Sequence, residues 1–206
     1  SLLYMIPHAP TTSMLIMGII SALLGGWMGL NQTQTRKLMA FSSIAHMGWL
    51  MIALTLSPNL ATITLLVYII LNVSMFMTMI LTTTKTTMDL STTHSCYPTL
   101  TALLMTSTMS LGGLPPLSGF LPKWLILKLL TAAKMPLMAT ILALATLPSL
   151  YFYIRMTYIT MLTSPPNTTT TEYKWRLYMQ PPTNIMTFVS LSLLLLPMTP
   201  TLANTI

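Results

Sequence analysis

The chain has 206 residues, of which 53% are hydrophobic and 5% charged, with a net charge of +7. A soluble domain carries about 25% charged residues, so this chain lacks the polar surface to enclose a core in water; it reads as a polytopic membrane protein. Its nine cations never stand more than two together (Arg36-Lys37), which makes no basic patch for nucleic acid; they read as orienting charges between membrane helices.

Taken in order, Ser1-Leu2-Leu3-Tyr4 has no initiator Met and no signal-peptide pattern. It reads as the tail of an earlier hydrophobic segment, so the chain is expected to start part-way through a longer one. About 20 apolar residues cross the hydrocarbon, and spans are predicted at about 11–30, 38–56 and 60–81. The first holds Gly18, Gly25, Gly26 and Gly29, with Gly25 and Gly29 a small-xxx-small pair suited to close helix approach. The second starts after Arg36-Lys37 and ends at Ser57-Pro58-Asn59.

A polar stretch from Thr82 to His94 separates the third span from a fourth apolar segment at about 98–131. That segment is too long for one simple crossing. Gly112, Gly113, Pro115, Pro116, Gly119 and Pro122 interrupt it, because proline removes backbone donors and glycine turns freely. Further spans are predicted at 136–162 and 184–202, giving an all-α bundle of about six spans, one of them discontinuous, in one domain over residues 1–206. The 34 Thr and only 3 Val fit this reading, since a threonine hydroxyl can bond back to its own helix inside lipid.

Charge sets the orientation. The first, third and fifth loops hold Arg36, Lys37, Lys85, Lys174 and Arg176, against Lys134 alone on the opposite side. The cation-rich side therefore faces the compartment of synthesis. Arg155 is expected to snorkel towards that side, with Tyr151, Tyr153 and Tyr158 in an aromatic belt.

Soluble-enzyme chemistry finds no foothold. Cys96 is alone, His8, His46 and His94 are scattered, and neither Asp89 nor Glu172 has a carboxylate neighbour in sequence. No phosphate-binding glycine loop or nucleophile elbow is present. No metal site is expected.

Ionisable groups deep in lipid are costly and are therefore functional candidates. Lys123 follows the predicted break, and broken helices at membrane depth survive where freed backbone groups meet water or polar partners. A lysine in such a partly dry cavity can trade its proton reversibly; the plain alternative is a snorkelling lysine at the mouth of a re-entrant loop. His46 lies inside the second span with Ser42 and Ser43 at i−4 and i−3. It suits a proton relay or, equally, a packing histidine bonded to a neighbouring helix. Lys128 reads as a second relay or a lipid-interface lysine with equal weight.

Two long strings, Asn31 to Trp49 and Ser110 to Trp124, resemble the vertebrate-type mitochondrial NADH–ubiquinone oxidoreductase chain 2 family of respiratory complex I. Tyr151-Phe-Tyr-Ile-Arg155 is a third, weaker match, and the resemblance runs in order over the whole chain. It implies an antiporter-like subunit of the membrane arm, built on inverted helix repeats, in the inner mitochondrial membrane. The implied partners are other membrane-arm subunits and the bilayer, with cardiolipin a candidate lipid; nucleic acid is not one. The resemblance also implies no cofactor on this chain: NADH, FMN, iron–sulfur clusters and ubiquinone would be held by other subunits.

Lys123 matches the family's lysine on the broken helix of its second half-channel, and His46 the histidine two helices before it. The family's N-terminal half, with its own broken helix, buried glutamate and lysines, has no counterpart here, so this sequence corresponds to the C-terminal portion and carries one half-channel at most. It is expected to be part of a longer chain, the alternative being that the other half is supplied separately. Lys128 stands where many relatives carry a different, often acidic, residue, and no role passes to it. The rival expectations are a structural spacer of the membrane arm and a free-standing cation–proton antiporter.

Overall fold

The computed structural model describes residues 11–96, 98–115 and 117–162, and these form seven α-helices with no sheet beyond one isolated bridge between Gln34 and Thr86. Helices α1 (Thr11–Gly29), α2 (Thr35–Leu56) and α3 (Pro58–Thr82) are followed by the short α4 (Thr87–Cys96) and by α5 (Pro98–Gly112). After an irregular segment come α6 (Phe120–Ala132) and α7 (Pro136–Leu162). Four of them, α1, α2, α3 and α7, are long and apolar enough to cross a membrane. The chain is a multi-pass membrane protein.

The predicted spans at 11–30, 38–56, 60–81 and 136–162 agree with α1, α2, α3 and α7 to within three residues, and the discontinuous segment with α5 and α6. The span at 184–202 lies outside the described residues. The polar stretch from Thr82 to His94 holds most of α4. Its start is a reciprocal cap, in which the Asp89 amide donates to Thr86 Oγ1 at 3.3 Å and Asp89 Oδ2 accepts from the Thr86 amide at 2.8 Å. Leu90, fully buried, then ties the helix to the core. Hydropathy misses this helix because capping and one anchor hold it.

The α2–α3 turn is set by Ser57, extended at φ −158°, and by Pro58, whose missing N–H is harmless at a helix start. Proline inside α7 does not break it: Pro148 lies mid-helix, and α7 continues to Leu162.

Glycines on α1 serve two neighbours. A methyl on Gly25 would lie 2.8 Å from the Phe41 carbonyl oxygen of α2, while one on Gly26 would lie 3.1 Å from Pro148 Cβ of α7 and one on Gly29 3.0 Å from the Phe152 ring. The Gly25–Gly29 pair is thus divided between α2 and α7. Buried hydroxyls, including Ser42, Thr64, Ser74, Thr78 and Ser107, donate to the carbonyl three residues back. This satisfies them without water and explains why threonine is so common here. Trp27, Ile80 and Leu137 are about 70% exposed (71%, 67% and 68%), as lipid-facing side chains are.

Two apolar cores result. One, with Leu38, Met75, Leu90, Leu111, Phe152 and Tyr153, includes the helix starts and ends nearest the cation-rich loops. The other, with Trp49, Ile52, Leu60, Ile126, Leu130 and Leu142, lies towards the opposite side. Charged and polar groups of interest collect where the two cores meet.

Candidate functional site

The break starts at the C-terminus of α5. Gly113 takes φ +80°, its amide donates to the Ser110 carbonyl at 3.0 Å, and the Leu114 amide reaches back to the Met109 carbonyl at 3.5 Å. This is a Schellman-type stop, in which a left-handed residue turns the last amides onto the helix's free carbonyls. Gly119 then packs so tightly on the Ser110 carbonyl that no side chain fits there, and it caps α6.

The six glycines and prolines predicted to break the helix divide by role. Gly113 and Gly119 are required by geometry, and Pro115 occupies the exposed turn between the two helices. Gly112 is the last residue of α5, and a methyl there would meet Tyr153 at an ordinary 3.7 Å, so it is needed for its carbonyl and not for flexibility. Pro122 sits in the first turn of α6, where its missing N–H would have had no helical partner, so it starts a helix instead of breaking one. Pro116 lies outside the described residues.

Lys123, one residue beyond Pro122, is partly buried and turns its ammonium back across the break. Nζ donates to the Gly112 carbonyl oxygen at 2.9 Å. The cation thus rests on the partly negative C-terminus of α5 while its stem leaves the partly positive N-terminus of α6. One helix end attracts it and the other repels it.

Lys123 and His46 line one cavity of about 40 Å³, together with Trp49, Thr64, Tyr68 and Gly119. A water needs roughly 10–15 Å³ of such space and two or more polar partners; the volume suffices, and His46, Thr64, Tyr68 and Lys123 are the polar residues of a mostly apolar lining. The His46 ring lies against Tyr68 of α3, with centroids 4.8 Å apart and planes tilted by 37°. The Tyr68 hydroxyl has Asn72 and Ser43 as polar neighbours.

Ser42 and Ser43, one turn before His46 on the same helix, donate to the Met39 and Ala40 carbonyls, both at 2.7 Å. Their oxygens remain free to accept. The partner of His46 across the helix interface is thus an aromatic ring and a cavity, and the sequence reading missed Tyr68. A signal was present: Tyr68 and Asn72 stand at i, i+4 in the most apolar of the four long helices.

Other candidates fall outside the cavity. Lys128 is exposed, with Nζ 5.8 Å from the centroid of the Trp124 ring. Arg155 reaches towards the cation-rich side, where Nη1 and Nη2 donate to the Leu30 and Gln32 carbonyls, each at 2.7 Å, pinning α7 to the end of α1. The free carbonyls after α1 are thereby satisfied by a charge-assisted, two-pronged donor. Tyr151 and Tyr158 are exposed at 58% and 59%, but Tyr153 faces inward at 1%, so it is not part of an aromatic belt.

Residues 1–148 match the family described as NADH:quinone oxidoreductase/Mrp antiporter, TM. The chain belongs to this family. Residues 150–203 match a second description, NADH dehydrogenase subunit 2 C-terminus. Among curated relatives within the family, NADH-ubiquinone oxidoreductase chain 2 of Tetraodon nigroviridis is 49% identical over 97% of this chain and 57% of its own length. The chain 2 proteins of Syconycteris australis and Canis lupus familiaris are 46% and 43% identical, each over 98% of this chain and 59% of the relative. The chain thus spans somewhat over half the length of the curated relatives it matches.

The family fold is found in solved structures. A chain of respiratory complex I from Thermus thermophilus with bound Aureothin superposes with TM-score 0.72 and 22% identity, over 94% of this chain and 46% of that one. A chain of the Mrp complex from Dietzia sp. DQ12-45-1b gives 0.61 and 16%, over 71% and 29%. At these identities the likeness shows the fold.

Proposed function

We propose that this chain is part of a membrane-arm subunit of proton-translocating NADH:ubiquinone oxidoreductase in the inner mitochondrial membrane, and that Lys123 is a reversible proton carrier with His46 as its relay. The observation that carries the reading is the Lys123 ammonium held on the Gly112 carbonyl across a helix break, on a cavity shared with His46. Among the described residues the cation is held by one carbonyl dipole and not by a counter-charge, and such a cation is easily neutralised by giving its proton to a water or to imidazole. No carboxylate among the described residues lines the cavity, which suits proton exchange better than capture of a metal cation. The relatives' name supplies the complex, and the cation-rich loops would face the matrix. The electron carriers (NADH, FMN, iron–sulfur clusters and ubiquinone) belong to other subunits in this reading. Those subunits and the surrounding lipid, cardiolipin included, are the partners.

The test compares Lys123→Met with Lys128→Met in assembled complex reconstituted into vesicles. NADH-driven proton uptake is expected to fall strongly in the first and to stay at the wild-type rate in the second, with both complexes assembled. Equal, unchanged uptake would leave the chain as a structural spacer of the membrane arm. Sodium-dependent proton flux without NADH would instead mark an antiporter.

A further inference from the structure

Away from the Lys123 cavity, a groove of about 570 Å³ opens at the cation-rich end, between the start of α2 and the end of α3. Arg36 and Lys85 stand at its polar end, and Phe76, Met79 and Ile80 of α3 line its apolar length. The two cations come from segments far apart in sequence, and backbone ties fix them side by side. The Thr35 amide donates to the Lys85 carbonyl at 3.1 Å, and the Thr87 amide to the Thr33 carbonyl at 2.9 Å. Thr35 Oγ1 adds bonds to the Lys85 and Thr84 carbonyls at 3.0 and 3.2 Å. Thr83 turns the chain out of α3 and back beside α2 with a left-handed φ of +50°, rare for a β-branched residue. The roots of both cationic side chains are therefore placed before any ligand arrives, which lowers the ordering cost of binding.

These charges are not spent within the described residues. Arg36 and Lys85 are exposed. Asp89 is the one carboxylate among the described residues, and its Oδ2 is committed to the Lys85 and Thr86 amides. Counting Lys37, three cations stand against that single carboxylate. Beside them Phe76 and Ile80 are exposed on a helix long and apolar enough to cross a membrane, the setting in which such side chains meet acyl chains. A ligand that matches both ends carries negative charge at the membrane surface and hydrocarbon that runs down α3. Basic pockets between helices on the cation-rich side of a membrane take anionic headgroups in this way. A soluble phosphate compound would leave the apolar length unfilled, and a zwitterionic lipid would bring a further cation to the pair.

We propose that the Arg36–Lys85 groove is a binding site for an anionic phospholipid, with its headgroup phosphate against the two cations and an acyl chain along Phe76 and Ile80. The inference rests on the lipid-partner part of the proposed function and not on proton carriage at Lys123, so either can fail alone.

The experiment places the assembled complex in phosphatidylcholine vesicles with a trace of phosphatidylglycerol or phosphatidylcholine, both carrying the same photoactivatable acyl chain, and maps the labelled peptides. Each cation near a membrane surface is worth about fivefold in attraction to an anionic lipid, so phosphatidylglycerol is expected to label the α3 segment around Phe76 and Ile80 at least about tenfold more than phosphatidylcholine. Arg36→Gln combined with Lys85→Gln is expected to remove that preference. Lys37→Gln, outside the groove, is expected to leave most of it. Equal labelling by the two lipids would mark an ordinary lipid-facing surface and overturns the proposal. Absence of labelling by either overturns it as well, since another protein segment would then cover the groove. A preference that survives the double substitution assigns the anionic lipid to other cations, with the same consequence. The wild-type comparison needs no variant, so it decides the matter even where the double variant does not assemble. Proton uptake read on the same wild-type and Lys123→Met samples tests the proton-carrier reading separately.

Discussion

Alanine substitutions at Gly112, Gly113 and Gly119 separate flexibility from position at the helix break. At Gly112 a methyl meets Tyr153 at 3.7 Å on a helical backbone, so Gly112→Ala is expected to be neutral or slightly stabilising. At Gly113 the φ of +80° costs an L-residue about 1–2 kcal/mol. The same methyl would stand 2.9 Å from Lys123 Nζ and 3.2 Å from its Cδ. A flexible lysine can retreat, so the clash adds little to the stability cost but takes the ammonium off the Gly112 carbonyl. A hydrogen bond to a charged group is worth about 1.5–3 kcal/mol, and its loss leaves Lys123 without its seat. At Gly119 the methyl meets the Ser110 backbone, which cannot move without unwinding α5, so Gly119→Ala is expected to abolish assembly.

The assay is the amount of assembled complex on a native gel, followed by proton uptake per complex in vesicles. Gly112→Ala should match wild type in both, Gly113→Ala should assemble at a reduced level with a larger loss of uptake, and Gly119→Ala should not assemble. Equal behaviour at Gly112 and Gly113 would refute the reasoning, since only one of them holds a left-handed turn.

Three further outcomes follow from the packing and the loops. Gly25→Val should reduce assembly far more than Gly26→Ala, because the first collides with α2 backbone and the second with a proline side chain, and native-gel abundance reports the difference. Arg155→Lys keeps the charge but loses the two-pronged grip on Leu30 and Gln32, and should lower the inactivation temperature with a loss of about 1–2 kcal/mol. Asp89 accepts from the Thr86 and Lys85 amides at 2.8 and 3.0 Å, and these bonds hold its carboxyl below the usual carboxylate range. A depressed folded-state value means that the stabilisation is complete above the unfolded carboxylate range and is lost as pH falls through the lower folded value. Amide exchange at Lys85 and Thr86, corrected for its intrinsic pH dependence, should therefore show constant protection at neutral pH and lose it only in strong acid. Asp89→Asn should weaken that protection at every pH above that acid range.

Much of the fold was legible because membrane spans are a matter of length and hydropathy, and the ends of α1, α3 and α7 coincide with sharp composition changes at Thr11, Pro58 and Pro136. The helix α4 was hidden, since a cap between Thr86 and Asp89 and one buried leucine leave no hydropathy signal. At the break, glycine and proline announced an interruption, but composition does not say which residue turns the chain. Only φ separates Gly113 from Gly112, and only the register of α6 shows Pro122 to be a starter. Lys123 and His46 drew notice as ionisable groups in apolar surroundings. Tyr68 did not, because a tyrosine is unremarked in a membrane helix until its neighbours are known. The partners of Arg155 were hidden for a related reason: the Leu30 and Gln32 carbonyls lie more than a hundred residues away in sequence and carry no side-chain signature.

The most direct test of the central claim is a double-mutant cycle on proton uptake by the assembled complex, with His46→Gln, Lys123→Met and the two combined. Groups on one proton path act as a unit, so removing the second adds little once the first is gone. The account predicts partial loss for His46→Gln, strong loss for Lys123→Met, and a double variant no worse than Lys123→Met alone. Losses that multiply would place the two residues on separate paths, and full uptake in the double variant would contradict proton carriage at this cavity altogether.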